Sequence, residues 1–195
     1  LTLTGDSPTK TYGQSGPALG FSVSGLVPGD SLSTALVGGT ATVTSSGTPA
    51  TAPVGTYSTV VAAQATAQGY QLSLVPGTLT VDPAPLIVRA APQTRQYGTT
   101  DPTLTFTANG FVNGESASVL SGALVRAPGE NVGVYAIGQG TLSATNYSIS
   151  FVGADFTITR APLSVTAIAQ TREYGIGDPT FTFSASGFLL SDTAS

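Results

Sequence analysis

The sequence predicts a mainly β protein: tandem small β modules, β-grasp-like or small sandwiches, with at most one short helix each, arranged end to end. Three observations carry this. First, the chain repeats itself: the pairs Tyr12-Gly13, Tyr97-Gly98 and Tyr174-Gly175 recur at two similar intervals. Leu1, Leu86 and Leu163 keep those same two intervals, as do Gly25, Gly110 and Gly187. Self-similarity of this kind marks an array of one structural unit. Second, short runs alternate apolar and polar residues with period two, as half-buried strands do. Third, only 8 % of residues are charged, against 24 glycines and 13 prolines in 195 residues. Thr, Ser, Ala and Val are prominent among the rest, which suits strands joined by tight turns.

The register divides the chain into residues 1–85, residues 86–162, and residues 163–195, which hold the start of a third copy. Each copy opens on a strand: Leu1-Thr2-Leu3-Thr4, then Leu86-Ile87-Val88, then Leu163-Ser164-Val165. A loop carries Lys10, or Arg95, or Arg172, to the Tyr-Gly turn. A second strand follows at residues 21–24, 104–107 and 181–184, closed by the recurrent glycine. Residues 30–36 and 115–121 each read as a short helix or an irregular turn, with Glu115 at the start favouring the helix dipole and Gly122 at the end. Residues 123–126 and 133–137 read as two more strands.

The first copy expands between their counterparts into residues 38–53, a longer hairpin or a mobile loop. Val54-Gly55-Thr56-Tyr57 answers Val132-Gly133-Val134-Tyr135. The unit closes on what reads as a hairpin: Tyr147, Ile149 and Phe151 alternate, a turn follows, and Phe156 and Ile158 alternate again. Tyr70, Leu72, Leu74, Leu79 and Val81 do the same in the first copy. The count is five or six strands per unit. Short proline-bearing joints (Asp82-Pro83-Ala84-Pro85 and Thr159-Arg160-Ala161-Pro162) lead straight into the next first strand.

With no Cys and no His, the sequence holds no thiol catalyst, no Ser-His-Asp triad and no zinc set. No phosphate-binding loop or nucleophile-elbow motif occurs. The ten carboxylates are scattered and the net charge is −4, which is no footprint for nucleic acid. No apolar run reaches the length of a membrane span, roughly 18 residues. The reading is therefore not an enzyme, with no cofactor and no metal. Asp101 and Asp178, in Asp-Pro steps, are weighed as calcium ligands against turn-initiating residues, and the turn is preferred. Lys10, Arg95 and Arg172 are read as pairing with a carboxylate or covering an aromatic face. Asn146-Tyr147-Ser148 is a glycosylation sequon that also begins a strand. All seven tyrosines (Tyr12, Tyr57, Tyr70, Tyr97, Tyr135, Tyr147, Tyr174) fall on repeat positions. With Gly13, Gly98 and Gly175 they are taken as structural core and corner residues whose hydroxyls bond backbone.

The ordered set YGTTDPTLTF (97–106), YGIGDPTFTF (174–183), NGE (113–115), VGVYAI (132–137), NYSISF (146–151) and FTITRAPL (156–163) resembles the MBG module. These are the "mostly beta, glycine-rich" repeats of large bacterial surface and secreted adhesins of filamentous-haemagglutinin-like type. The likeness runs through the whole second copy. The first departs from it with YGQSGPAL and an expanded middle. The resemblance implies an extracellular, cell-surface or secreted location and a structural spacer or stalk function in adhesion or biofilm. The partners it implies are neighbouring repeats of the same chain, with host or matrix glycan or protein met through other regions. The alternative is a module that itself binds glycan or host protein, for which the unit-specific stretch 38–53 is the natural place.

Overall fold

The computed structural model describes residues 1–65 and 69–194. Among these, the first copy holds seven strands: β1 (Thr2–Gly5), β2 (Thr9–Thr11), β3 (Phe21–Ser24), β4 (Thr42–Thr44), β5 (Gly55–Ala62), β6 (Ser73–Val75) and β7 (Gly77–Asp82). The second repeats them as β8 (Ala84–Ala90), β9 (Gln93–Gln96), β10 (Phe106–Asn109), β11 (Val125–Arg126), β12 (Gly133–Gly138), β13 (Tyr147–Val152) and β14 (Ala154–Thr159). The third contributes β15 (Ser164–Ala167) and β16 (Phe183–Ser186), paired antiparallel. The protein is mainly β, as the alternation requires. A four-residue α-helix, α1 (Leu32–Ala35), follows β3, and its counterpart in the second copy is a 3₁₀ turn at Ala117–Val119.

Among the described residues each complete copy makes one three-stranded and one four-stranded sheet. The orders are β3-β1-β6 and β2-β7-β5-β4 in the first, β10-β8-β13 and β11-β12-β14-β9 in the second. The agreement strand for strand shows that the repeat in sequence is a repeat in topology. In both four-stranded sheets the segment before the Tyr-Gly pair runs parallel with the closing strand: Lys10 opposite Val81, Arg95 opposite Ile158.

Two expectations are corrected here. The closing hairpin is not a hairpin. β6 pairs parallel with β1 in the small sheet, whereas β7 lies between β2 and β5 in the other. The chain changes sheets at Pro76, which has no N–H to give a ladder, and β13 and β14 change sheets across Gly153 in the same way. Period-two alternation around a short turn is equally compatible with both arrangements, because it reports face and not partner. The second correction is that the segment before each of the first two Tyr-Gly pairs is a strand, β2 or β9, and not a loop. Each complete copy therefore has seven described strands. The inward residue of that strand is a buried cation, Lys10 or Arg95, so the apolar pattern that signals a strand is missing.

The chain folds as two compact units whose borders cut across the repeats: Leu1–Val88, Ala108–Gly122 and Leu142–Ser150 form one; Arg89–Thr107, Ala123–Thr141 and Phe151–Ser195 the other. In the first, β1 packs on β5 and β7, so the first copy is a small sandwich. Its core is Leu3, Leu36 and Val61, with Phe21, Val23, Leu32, Val43 and Leu72 around them. Stretch 38–53 contains β4, which pairs antiparallel with β5, so it forms the longer hairpin of the two alternatives. In the second unit Ile137, Phe156 and Ile158 form the core, with Tyr97, Leu104, Leu124 and Tyr135 packed on it.

Candidate functional site

The recurring tyrosines divide by partner. Tyr57 and Tyr135, in the VGxY boxes, donate to the carbonyls of Pro53 and Asn131, each at 2.8 Å. These two bond backbone, as expected. Tyr12, Tyr70 and Tyr147 donate to carboxylates that are also repeat positions, and Tyr70 and Tyr147 accept a backbone N–H as well. Tyr70 donates to Asp30 at 2.6 Å and receives the N–H of Val27 at 2.9 Å. Tyr147 donates to Glu115 and receives the N–H of Val112 at 3.1 Å. Asp30 and Glu115 are separated by the same interval as Tyr12 and Tyr97, so they hold one register position.

Glu115 has a second partner. Tyr12, from the preceding repeat, donates to its Oε1 at 2.8 Å, while Tyr147 takes Oε2. One carboxylate thus joins two repeats. The rings of Tyr12 and Tyr147 meet edge to face at 5.7 Å, and Phe111 meets Tyr147 the same way at 5.8 Å. Such pairs add to the area they bury, and the two tyrosines are only 4 % and 7 % exposed. Burial, and then the Glu115 carboxylate, push the Tyr147 phenol above its ordinary range. It remains a neutral donor through the physiological range. Around this centre Asn146 accepts from Val54 N–H at 3.1 Å through its side chain and from Ala84 N–H at 3.0 Å through its backbone. The sequon asparagine is therefore committed to the joint.

Gly13 makes the contact possible. At φ +87° it lies in the left-handed region, and a Cβ built there would sit 2.4 Å from Val112 Cγ2. Gly13→Ala is expected to cost about 3 kcal/mol, roughly 1–2 from the backbone and the rest from the clash. Gly175, at φ +85°, has nothing within 4 Å of that Cβ. Gly175→Ala should cost only the backbone part, about 1 kcal/mol. Urea titration of the two variants checks the difference, and equal losses would mean the close approach has no energetic weight.

The same joint is built again one period later. Gly98 sits at φ +83°, and its Cβ would fall 2.6 Å from Leu189 Cδ1. The Tyr97 phenol and Asp192 line one cleft, and the Asp192 carboxylate holds the phenol above its ordinary range. Leu189 and Asp192 follow Val112 and Glu115 by the interval that separates Tyr97 from Tyr174. Tyr174 of the third Tyr-Gly pair is fully exposed, at 104 %. Phe181 is exposed too. Its counterpart Leu104 packs on Ile137, Phe156 and Ile158, which lie on β12 and β14. Residues 163–195 do not contain the equivalents of those strands.

The cation before each Tyr-Gly pair has a partner suited to its own repeat. Arg95 and Arg126 share Asp101 and Glu130. Arg95 Nε reaches Asp101 Oδ1 at 2.5 Å and its Nη2 pairs with Glu130. Arg126 Nε reaches Asp101 Oδ2 at 2.5 Å and its Nη2 reaches Glu130 at 2.8 Å. Arg126 also lies over the rings of Phe156 and Tyr135, at 5.0 and 5.5 Å. Asp101 is thus an ion-pair residue and more than a turn initiator. Two guanidinium groups occupy both its oxygens, Arg126 above all holding its pKa below the usual carboxylate range. Arg172 repeats the pairing with Asp178 at 2.6 Å. Lys10 departs from the expected carboxylate partner. Gly16 stands at the position of Asp101, and Lys10 Nζ donates instead to the carbonyls of Gln14, Thr48 and Pro49.

Two of those carbonyls belong to stretch 38–53. The same stretch gives Ala50 O to Gly13 N–H at 3.0 Å and to the Asn113 side chain at 3.2 Å. The unit-specific insertion is therefore wrapped into the joint between the first two repeats. Among the described residues no cluster of three or more Asp, Glu, His or Cys side chains is placed to hold a metal ion, and no helix is long and apolar enough to cross a membrane.

No curated protein and no solved structure shows significant similarity to the chain. A family model does match, twice in tandem, over residues 1–80 and 86–157, and its description is the MBG domain of YGX type. The Tyr-Gly pairs of that description include the two corners that dock on the next repeat, and the chain belongs to the MBG domain family.

Proposed function

We propose that the chain is a stalk segment of an extracellular bacterial adhesin, whose repeats hold a binding region away from the cell surface. The observation that supports this best is where the shared residues go. In each complete repeat the positions that define the register are spent on folding the repeat or on gripping its neighbour: Tyr12, Gly13, Glu115 and Tyr147 at one joint, Tyr97, Gly98 and Asp192 at the next. Family membership supports an adhesin-like repeat, and MBG domains are typical of extracellular surface proteins. The alternative reading, a module that binds glycan or host protein itself, looks to stretch 38–53. That stretch supplies carbonyls to Lys10, Gly13 and Asn113, which is a structural duty.

Small-angle X-ray scattering on the monomer tests the stalk. A compact globule of this length has a radius of gyration of about 16 Å. Repeats that follow one another in line should exceed about 20 Å on the same scaling. A value at the compact figure would overturn the stalk reading in favour of a shared face and a binding role.

A further inference from the structure

The arrangement that receives a Tyr-Gly corner occurs at three register positions. An apolar residue lies at the first place of each: Val27, Val112 or Leu189. A carboxylate lies three positions on: Asp30, Glu115 or Asp192. At the second position the occupant is Tyr12-Gly13, and at the third it is Tyr97-Gly98. The first position is built in the same way. Tyr70 takes Asp30 Oδ2 and the Val27 N–H, as Tyr147 takes Glu115 Oε2 and the Val112 N–H. Yet Val27 is 58 % exposed, and an open cleft lies between Leu1, Val27, Asp30 and Tyr70.

We infer that this cleft is a socket for the Tyr-Gly corner of another MBG repeat joined directly ahead of Leu1. At the occupied joint the incoming phenol uses the carboxylate oxygen that the resident tyrosine leaves over, Oε1 of Glu115. Asp30 uses Oδ2 for Tyr70 and presents Oδ1 in the equivalent role. A carboxylate one methylene shorter also faces a corner tyrosine, as Asp192 lines one cleft with Tyr97. The occupant needs glycine after its tyrosine, because any Cβ there strikes the apolar residue beneath, as Val112 and Leu189 show at Gly13 and Gly98. A connected repeat is favoured over a separate chain because Leu1 holds the place of Leu86 and Leu163, each directly after the proline that closes a joint. The inference goes beyond the stalk reading by naming what the upstream face of a repeat holds, and it stands on the geometry of the joints.

The test uses the whole chain extended by a copy of residues 86–162, with the added Pro162 joined to Leu1. A double-mutant cycle pairs Tyr97→Phe in the added copy with Asp30→Asn, read by hydrogen exchange at the Val27 amide. Asn keeps an acceptor for Tyr70, so the fold is maintained, and an unchanged melt of the unextended Asp30→Asn chain verifies this. A charge-assisted bond has a strength that makes the pair non-additive by about tenfold in protection. Coupling below twofold overturns the inference. Mixing two unextended chains should leave Val27 protection unchanged. Protection gained there would place the corner on a separate molecule and overturn the connected assignment. Scattering can fail the stalk while this coupling stands, and the coupling can fail while the scattering stands, so the two outcomes are separable.

Discussion

Tyr147→Ala is expected to destabilise the first compact unit by about 4 kcal/mol, the usual loss for a large buried aromatic. The side chain is 7 % exposed and sits between Tyr12 and Phe111, so its removal leaves a cavity against two rings. It also strips one of the two phenols from Glu115 and the acceptor from Val112 N–H. Tyr147→Phe keeps the rings and should cost about 1.5 kcal/mol, the lower end for a hydrogen bond to a charged group. Hydrogen exchange is the right readout, because a chain of two compact units need not unfold in one step. Protection should fall around Tyr12 as well as around Tyr147, although the two lie in different repeats. Loss confined to the second repeat would mean that the Tyr12 bond to Glu115 carries no energy.

Arg126→Ala is expected to cost the second unit about 3 kcal/mol. Breaking a buried ion pair by removing one member costs roughly 3–5 kcal/mol. The lower figure applies because Glu130 is 65 % and Asp101 38 % exposed, and solvent screens both. Loss of the cation over Phe156 and Tyr135 adds to the effect. A pH series identifies the electrostatic share. Asp101 has its folded pKa lowered, so the stability it lends is present above about pH 4, the ordinary Asp value, and is lost as pH falls through the folded value. Wild type should therefore weaken in acid below about pH 4, and Arg126→Ala should weaken less steeply. Parallel acid curves would assign the whole loss to packing.

The register, the β class and the box tyrosines Tyr57 and Tyr135 are readable in the sequence, since each depends on spacing and local alternation. Partners are harder to read. Asp30, Glu115 and Asp192 keep the intervals of the glycines, so the joint carboxylate is visible as a repeat position. Taken as a helix-start charge, Glu115 loses its meaning: the 3₁₀ turn begins after it with Ser116 as cap, and its carboxylate turns to two phenols. β2 and β9 are hidden because Lys10 and Arg95 occupy their inward positions, where an apolar residue would mark a strand. The change of sheet at Pro76 and Gly153 depends on pairing with strands far along the chain, which a local pattern does not encode.

In each complete repeat the strand by which the chain enters and the strand by which it leaves are both interior to their sheets. β1 has β3 and β6 beside it, and β7 has β2 and β5; β8 and β14 are flanked likewise. Tension applied along the backbone runs along these strands, while their ladder bonds lie across it. The bonds on both flanks are then loaded together in shear, so a repeat has to give way in one event rather than unzip bond by bond. Its endurance under load is set by its unfolding rate and not by its equilibrium stability.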